Sequence, residues 1–172
     1  MAALAARFVW AIGVASMACA LSLAADNLDE LQSRFDNEQN SVHKSKLFEK
    51  LGNAEMVEIR HASKASDFSR MDLTVEKYRD NARVAEEALK KQHPDAERQS
   101  DGYKRLQMHI HRMLRELDDA ILVAPEEYRP PLEIVRKDLM AIDDELLRLL
   151  FPHRPEVKPP VASPSTSLEV SL

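Results

Sequence analysis

Apolar residues recur every three or four positions along most of the chain, which is the spacing of one buried face of an α-helix. The clearest stretch alternates these spacings over seven positions: Phe68, Met71, Val75, Tyr78, Ala82, Ala85 and Leu89. Ser66 and Asp67 precede it as N-cap candidates, because their side-chain oxygens can accept hydrogen bonds from the free N–H groups of a first turn. We therefore predict a helix that begins near residue 68 and ends at His93-Pro94.

Two later stretches repeat the pattern. The first consists of Tyr103, Leu106, Ile110, Met113, Leu117 and Ala120. We expect Ser100 or Asp101 to cap it and Pro125 to stop it. The second consists of Leu132, Val135, Leu139, Ile142, Leu146 and Leu149. It is preceded by Pro130-Pro131, which suits a first helical turn, and it is bounded by Pro152.

The first part of the helical region is less regular. Leu28, Leu31 and Phe35 begin an amphipathic helix, and the polar run 36–41 should break it. A further helix is predicted over residues 42–62, with one side formed by Leu47, Leu51, Ala54 and Val57. No stretch alternates as a strand would. We predict one all-α domain over residues 26–151, an antiparallel bundle of four to five long helices.

The two ends of the chain differ from this domain. Residues 1–25 hold Arg7, an uncharged apolar core and then small residues, which is the layout of a secretory signal peptide. We expect a periplasmic or secreted bacterial protein, cleaved after Ala20, Ala24 or Ala25. An uncleaved membrane anchor and lipidation at Cys19 are the alternatives. Residues 152–172 hold five prolines among Ser and Thr, so we predict a disordered tail.

Composition limits the kinds of site and partner that the protein can have. Trp10 and Cys19 are the only tryptophan and cysteine, so a chain cleaved after residue 25 has no thiol for a disulfide, a nucleophile or a metal site. The chain carries 24 Lys and Arg against 29 Asp and Glu. This acidic balance argues against nucleic acid as a partner, because phosphate binding needs a basic face.

Part of the chain resembles a known repeat. Leu51-Gly52-Asn53-Ala54, followed by Ala65-Ser66-Asp67-Phe68, is similar to segments of a tetratricopeptide repeat over residues 42–90. This resemblance implies a long helical hairpin and a peptide-binding surface. The region after the leader also resembles small exported bacterial helical proteins of no assigned activity, in its Phe35-x-x-Glu38 helix and its Leu117-Asp118-Asp119 helix. That resemblance carries over no catalytic or binding residues.

Three groups of polar residues are candidates for chemistry. Glu58 and His61 share one helix face, as metal-binding pairs of helical bundles do, and they are the candidate metal ligands. His109 and His111 point to different sides of a helix, so we interpret them as half-exposed and unable to share a metal ion. We expect the acidic clusters 118–119 and 143–145 to lie on solvated faces, with Arg115–Asp119 and Asp144–Arg148 as ion pairs.

The expected function is therefore interaction rather than catalysis. The sequence holds no nucleophile elbow, P-loop, zincin helix or EF-hand loop, and we expect neither an enzyme nor a cofactor. We predict an exported scaffold that binds an envelope or extracellular protein or peptide through a groove between helices. Tyr128, in a connector between prolines, is the candidate partner-binding residue. The alternatives are a homodimer through the 68–89 stripe and an exported bundle that binds a small ligand or a divalent metal.

Overall fold

The structure is a computed structural model that describes residues 28–153. It contains α1 over residues 28–37, α2 (Ser41–Lys64), α3 (Phe68–Gln92), α4 (Ser100–Val123) and α5 (Arg129–Leu150), with a 3-10 turn at Glu126–Tyr128. No strand occurs within these residues, which confirms the prediction of an all-α bundle. The predicted leader at 1–25 and all but the first two residues of the predicted tail lie outside the described residues. No helix between residues 28 and 153 combines the length and apolar character that a bilayer span requires.

The helix ends follow local chemistry. Asn40 caps α2 by accepting a hydrogen bond from the backbone N–H of His43, and Asp67 caps α3 through the N–H of Arg70. Pro130 and Pro131 occupy the first turn of α5, as predicted. The cap prediction for α4 is wrong, because the cap position is Gln99, which makes no side-chain capping bond.

The bundle consists of two helical hairpins, α2/α3 and α4/α5, and consecutive helices run antiparallel. The corresponding helices of the two hairpins pack side by side and run parallel. Between α2 and α4, each of three contacts joins residues 56 positions apart: Glu49–Arg105, Asn53–His109 and Arg60–Glu116. Between α3 and α5, Arg83 pairs with Asp138 at 2.8 Å and Lys90 with Glu145 at 3.3 Å. The paired residues are 56 positions apart between α2 and α4 and 55 positions apart between α3 and α5. These nearly equal offsets fix the register of one hairpin against the other.

The core contains most of the predicted apolar stripes. Met71 through Leu89 on α3 and Tyr103 through Leu117 on α4 are fully buried at their stripe positions. The prediction of which residues form the apolar side of α2 is partly wrong, because Val57 is 49% exposed while Phe48, Met56 and Ile59 are buried. Gly52 and Glu55 occupy the buried face of α2, so its apolar pattern is interrupted where it meets the core.

Helix α1 joins this core through an aromatic contact and a buried cation. The Phe35 ring is fully buried and lies 6.3 Å from the ring of Phe48 on α2. The Lys44 ammonium, also on α2, donates to the carbonyl oxygen of Phe35 at 2.8 Å and lies 4.6 Å from the centre of its ring. A cation at this place interacts favourably with the carbonyl groups that end a helix.

Candidate functional site

An open groove lies between the parallel helices α2 and α4. It has a volume of about 330 Å³. Its lining consists of Glu49, Asp101, Lys104, Arg105, Met108, His109 and Arg112. The three formal cations outnumber the two carboxylates, although the whole chain is acidic. The groove is therefore a local basic surface on an acidic protein.

Only some of the charged side chains in this groove form ion pairs. Arg105 donates from Nη1 to Glu49 Oε2 at 2.8 Å, so this pair is internally neutralised. Lys104 and Arg112 are exposed, and neither forms a salt bridge within residues 28–153. Met108 lies beside them with 64% of its surface exposed. Asp101 is likewise exposed and forms no salt bridge in that part of the chain, so the groove combines two free cations, one free carboxylate and an adaptable apolar side chain.

The groove is closed underneath by a buried histidine. His109 is 2% exposed, its Nδ1 lies 2.8 Å from the Tyr78 hydroxyl, and its Nε2 lies 3.3 Å from Asn53 Oδ1. Burial, together with the charge of Arg112, lowers the pKa of His109 to about 4. A neutral ring that donates from Nε2 to Asn53 and accepts from Tyr78 at Nδ1 satisfies all three groups. The prediction that His109 is half-exposed is wrong.

Gly52 allows this closure. A Cβ atom at position 52 would lie 2.5 Å from His109 Cε1 and 2.8 Å from Tyr78 Cε2. These distances are too short for any side chain, so the glycine lets α2 approach the two rings. The Phe48 ring completes the contact at 5.1 Å from Tyr78 and 5.4 Å from His109.

A second polar group lies on the other side of Tyr78. Glu55 is 1% exposed, and its Oε1 accepts a hydrogen bond from Asn81 at 3.2 Å. Asn81 and Gln32 exchange two hydrogen bonds of 3.0 Å, which connects α1 to this group. Oε2 of Glu55 has no partner within the described residues. Burial raises the pKa of Glu55 from 4.5 to about 7, against the opposing effects of Lys77 and Asn81.

The structure does not bring the candidate metal pair into a multidentate site. Glu58 is partly buried and forms an ion pair with Arg70 of α3, while His61 is exposed one turn later. Within residues 28–153, no three or more His, Cys, Asp or Glu side chains are grouped so that they could hold a metal ion.

Tyr128 also has an internal contact. Its ring packs against that of Phe68 at the start of α3, with the ring centres 5.3 Å apart. It is partly buried against the core rather than free in the connector. The structure therefore gives Tyr128 a packing role between the two hairpins.

The acidic clusters differ from the predicted solvated faces at one position. Asp143 is 7% exposed, accepts from Gln107 at 3.0 Å and lies 3.6 Å from the exposed His111. Burial raises the pKa of Asp143. Neither predicted ion pair is formed within residues 28–153. Arg148 pairs with Glu145 instead of Asp144, and no salt bridge joins Arg115 to Asp119, while the neighbouring Asp118 pairs with Arg136 of α5.

A larger hollow, of about 420 Å³, lies at the end of α5 and is lined by Glu97, Leu150, Phe151, Pro152 and His153. Its walls are mostly apolar. Its lining includes no Lys or Arg and no buried hydrogen-bonded side chain like His109, so the α2–α4 groove is the stronger candidate site.

Sequence reasoning missed Glu55, Asn81 and Gln32 as a connected group. The available signal was that Glu55 lies one turn after Leu51 and one turn before Ile59, where an apolar residue is expected. The comparisons add no further residues, because the chain matches no family model, no curated protein and no solved structure.

Proposed function

We propose that the protein is a non-catalytic interaction module that binds an acidic, partly apolar segment of an exported protein in the α2–α4 groove. The observation that supports this proposal most is that Lys104 and Arg112, which form no salt bridge within residues 28–153, lie one helical turn on either side of the exposed Met108. A segment with carboxylates and one apolar side chain complements this arrangement.

The rigid floor of the groove supports this proposal. A bound segment pays less in lost freedom when the surface it meets is already ordered. The floor is held by the Tyr78–His109–Asn53 hydrogen bonds and by the close approach at Gly52.

The hydrogen bonds that His109 makes support binding rather than catalysis. A general base needs a free nitrogen within reach of a substrate proton. Both ring nitrogens of His109 are already engaged by Tyr78 and Asn53. The remaining groove side chains are cations, one methionine and two carboxylates, of which Glu49 is paired with Arg105.

The experiment is selection of a displayed random-peptide library on the purified full chain. We expect selected peptides to combine acidic with apolar residues, and their affinity to fall at least tenfold in the double variant Lys104→Glu/Arg112→Glu. The matched control is Lys91→Glu/Lys137→Glu, which makes the same change in net charge at exposed positions on α3 and α5.

Each outcome has a clear meaning. Peptides that bind the control and the groove variant equally would place the binding surface elsewhere and overturn the proposal. A chain that selects no peptide but elutes as a dimer would favour self-association through another face.

A further inference from the structure

A small pocket lies between α1, α2 and α3, separate from the α2–α4 groove. Its volume is about 240 Å³. Leu28 of α1 and Leu73 and Thr74 of α3 form apolar parts of its walls. Thr74 donates its hydroxyl to the backbone oxygen of Arg70, so its methyl group is the part left for contact. The pocket is smaller than most drug-sized ligand sites and suits a short aliphatic group.

Glu55 also lines this pocket. It is 99% buried, since only 1% of its surface is exposed, and one of its two carboxylate oxygens has no partner within residues 28–153. A buried carboxylate oxygen without a donor is costly, because it loses its hydration without replacement. A ligand that brings an N–H donor would remove this cost.

The charges around Glu55 favour a single added cation. From α1, Asp29 lines the pocket, and from α2, Glu58 does so with its charge balanced by Arg70. From α3, Lys77 also lines the pocket, and its charge lowers the pKa of Glu55 against the larger effect of burial. When Glu55 is ionised, the three carboxylates and two cations of the lining leave one negative charge unbalanced. On the far side, Tyr78 is hydrogen-bonded to the neutral His109 of α4, beyond which lies Arg112.

We propose that this pocket binds a protonated primary amine on a short aliphatic chain, with the ammonium group at the Glu55 carboxylate and the chain against Leu28 and Leu73. A hard divalent cation fits less well, because it requires several oxygen ligands at once, and within residues 28–153 no three such side chains are grouped to hold one. The source of the amine is a free alkylamine or the lysine side chain of a partner. The proposal is independent of the α2–α4 groove.

Amine binding should depend on pH. The ammonium group favours the ionised form of Glu55, whose pKa in the free protein is about 7. Binding below that pH must therefore release a proton, and affinity should rise between pH 6 and pH 8. The alkylamine itself keeps its proton throughout this range, since its pKa resembles that of lysine.

The test is an NMR titration of the full chain with butylamine, with 1-butanol as the uncharged control of the same length. We expect butylamine to shift amide signals near residues 28–29, 55 and 73–77, and 1-butanol to leave them unchanged. Glu55→Gln should weaken butylamine binding at least tenfold, while Glu87→Gln, an exposed change on α3, should leave it unchanged. Leu73→Ala removes a wall residue that is 68% exposed, so it tests the site without disturbing the core and should weaken binding severalfold.

A second titration with Nα-acetyl-lysine methylamide separates the two sources. If Nα-acetyl-lysine methylamide binds more tightly than butylamine, the natural ligand is the lysine side chain of a partner. If it binds more weakly, the natural ligand is a free alkylamine. Equal binding of butylamine and 1-butanol, unchanged affinity in Glu55→Gln, or no signal change at saturating amine would each overturn the proposal. Glu55-dependent shifts with Mg²⁺ or Ca²⁺ but not with butylamine would replace it with a metal site.

Discussion

The hydroxyl of Tyr78 on α3 lies 2.8 Å from Nδ1 of His109 on α4, and both side chains are buried. This hydrogen bond crosses between the two hairpins at the point where Gly52 lets α2 approach both rings. It forms the floor of the candidate groove and separates that groove from the pocket at Glu55. Stability, pH response and the candidate site are therefore linked through the same few side chains.

Removing the Tyr78 hydroxyl should destabilise the protein. In Tyr78→Phe the ring keeps its packing, but Nδ1 of His109 loses its donor inside the core. The expected loss is about 1–3 kcal/mol in the free energy of unfolding, measured by urea denaturation. Tyr103→Phe is the matched control, since that hydroxyl donates to the His93 carbonyl in a less buried place and should cost less. Equal losses in the two variants would contradict a special role for the Tyr78–His109 bond.

A methyl group at position 52 should cost more than one at position 102. In Gly52→Ala the new carbon meets two aromatic rings held by hydrogen bonds, whereas in Gly102→Ala it meets the flexible end of Leu89. We expect Gly52→Ala to lower the unfolding free energy by about 1–3 kcal/mol despite the better helix propensity of alanine. Thermal and urea denaturation of both variants would measure the difference, and a Gly52→Ala protein as stable as the parent would refute the close approach.

His109 and Glu55 should give opposite responses to pH. The pKa of His109 falls from 6.5 to about 4 on folding, so its contribution to stability is full above pH 6.5 and is lost as the pH falls through 4. The pKa of Glu55 rises from 4.5 to about 7, so its contribution is full below pH 4.5 and is lost as the pH rises through 7. Between about pH 4.5 and 6.5 the two effects oppose each other.

Single substitutions should therefore show the pH dependence of stability that each group causes, because in the parent protein the two opposing effects partly cancel. In Glu55→Gln the His109 effect remains, and the unfolding free energy should rise from pH 4 to pH 6.5 by about 3 kcal/mol. In His109→Gln the Glu55 effect remains, and stability should fall from pH 4.5 to pH 7 by a similar amount. Urea denaturation of each variant across this pH range measures both slopes. Parallel curves for the parent and both variants would contradict the assigned pKa shifts.

Loss of the Lys44 ammonium should loosen α1. Lys44→Met keeps the aliphatic volume but removes the shorter of two hydrogen bonds to the Phe35 carbonyl, which retains only that from the Glu38 N–H at 3.3 Å. We expect a loss of about 1–3 kcal/mol, since a charged group donates this bond inside the protein. Relative to the parent, amide hydrogen exchange in Lys44→Met should be accelerated more in residues 28–37 than in the other helices. Lys50→Met, at an exposed position of α2, should leave both stability and exchange unchanged.

The helices themselves were predictable from local patterns. The three-and-four spacing of Phe68 through Leu89 and the stops at His93-Pro94, Pro125 and Pro152 are properties of neighbouring residues, and the structure places helices there. The candidate groove was not predictable, because Lys104 and Arg112 belong to an ordinary polar helix face until α2 packs beside them. His109 was misjudged for the same reason, since its burial depends on Gly52 and Tyr78.

The sequence by itself therefore determined the all-α class, the break within the polar run 36–41, the helix stops and most of the core, because each depends on residues within a few turns. Only the tertiary structure decided that α2 and α4 lie parallel with a constant offset of 56 residues. It also decided that Glu55 is buried with one oxygen unpartnered and that Tyr128 packs on Phe68. These features join side chains distant in sequence, and their burial and charge interactions exist only once the hairpins have packed.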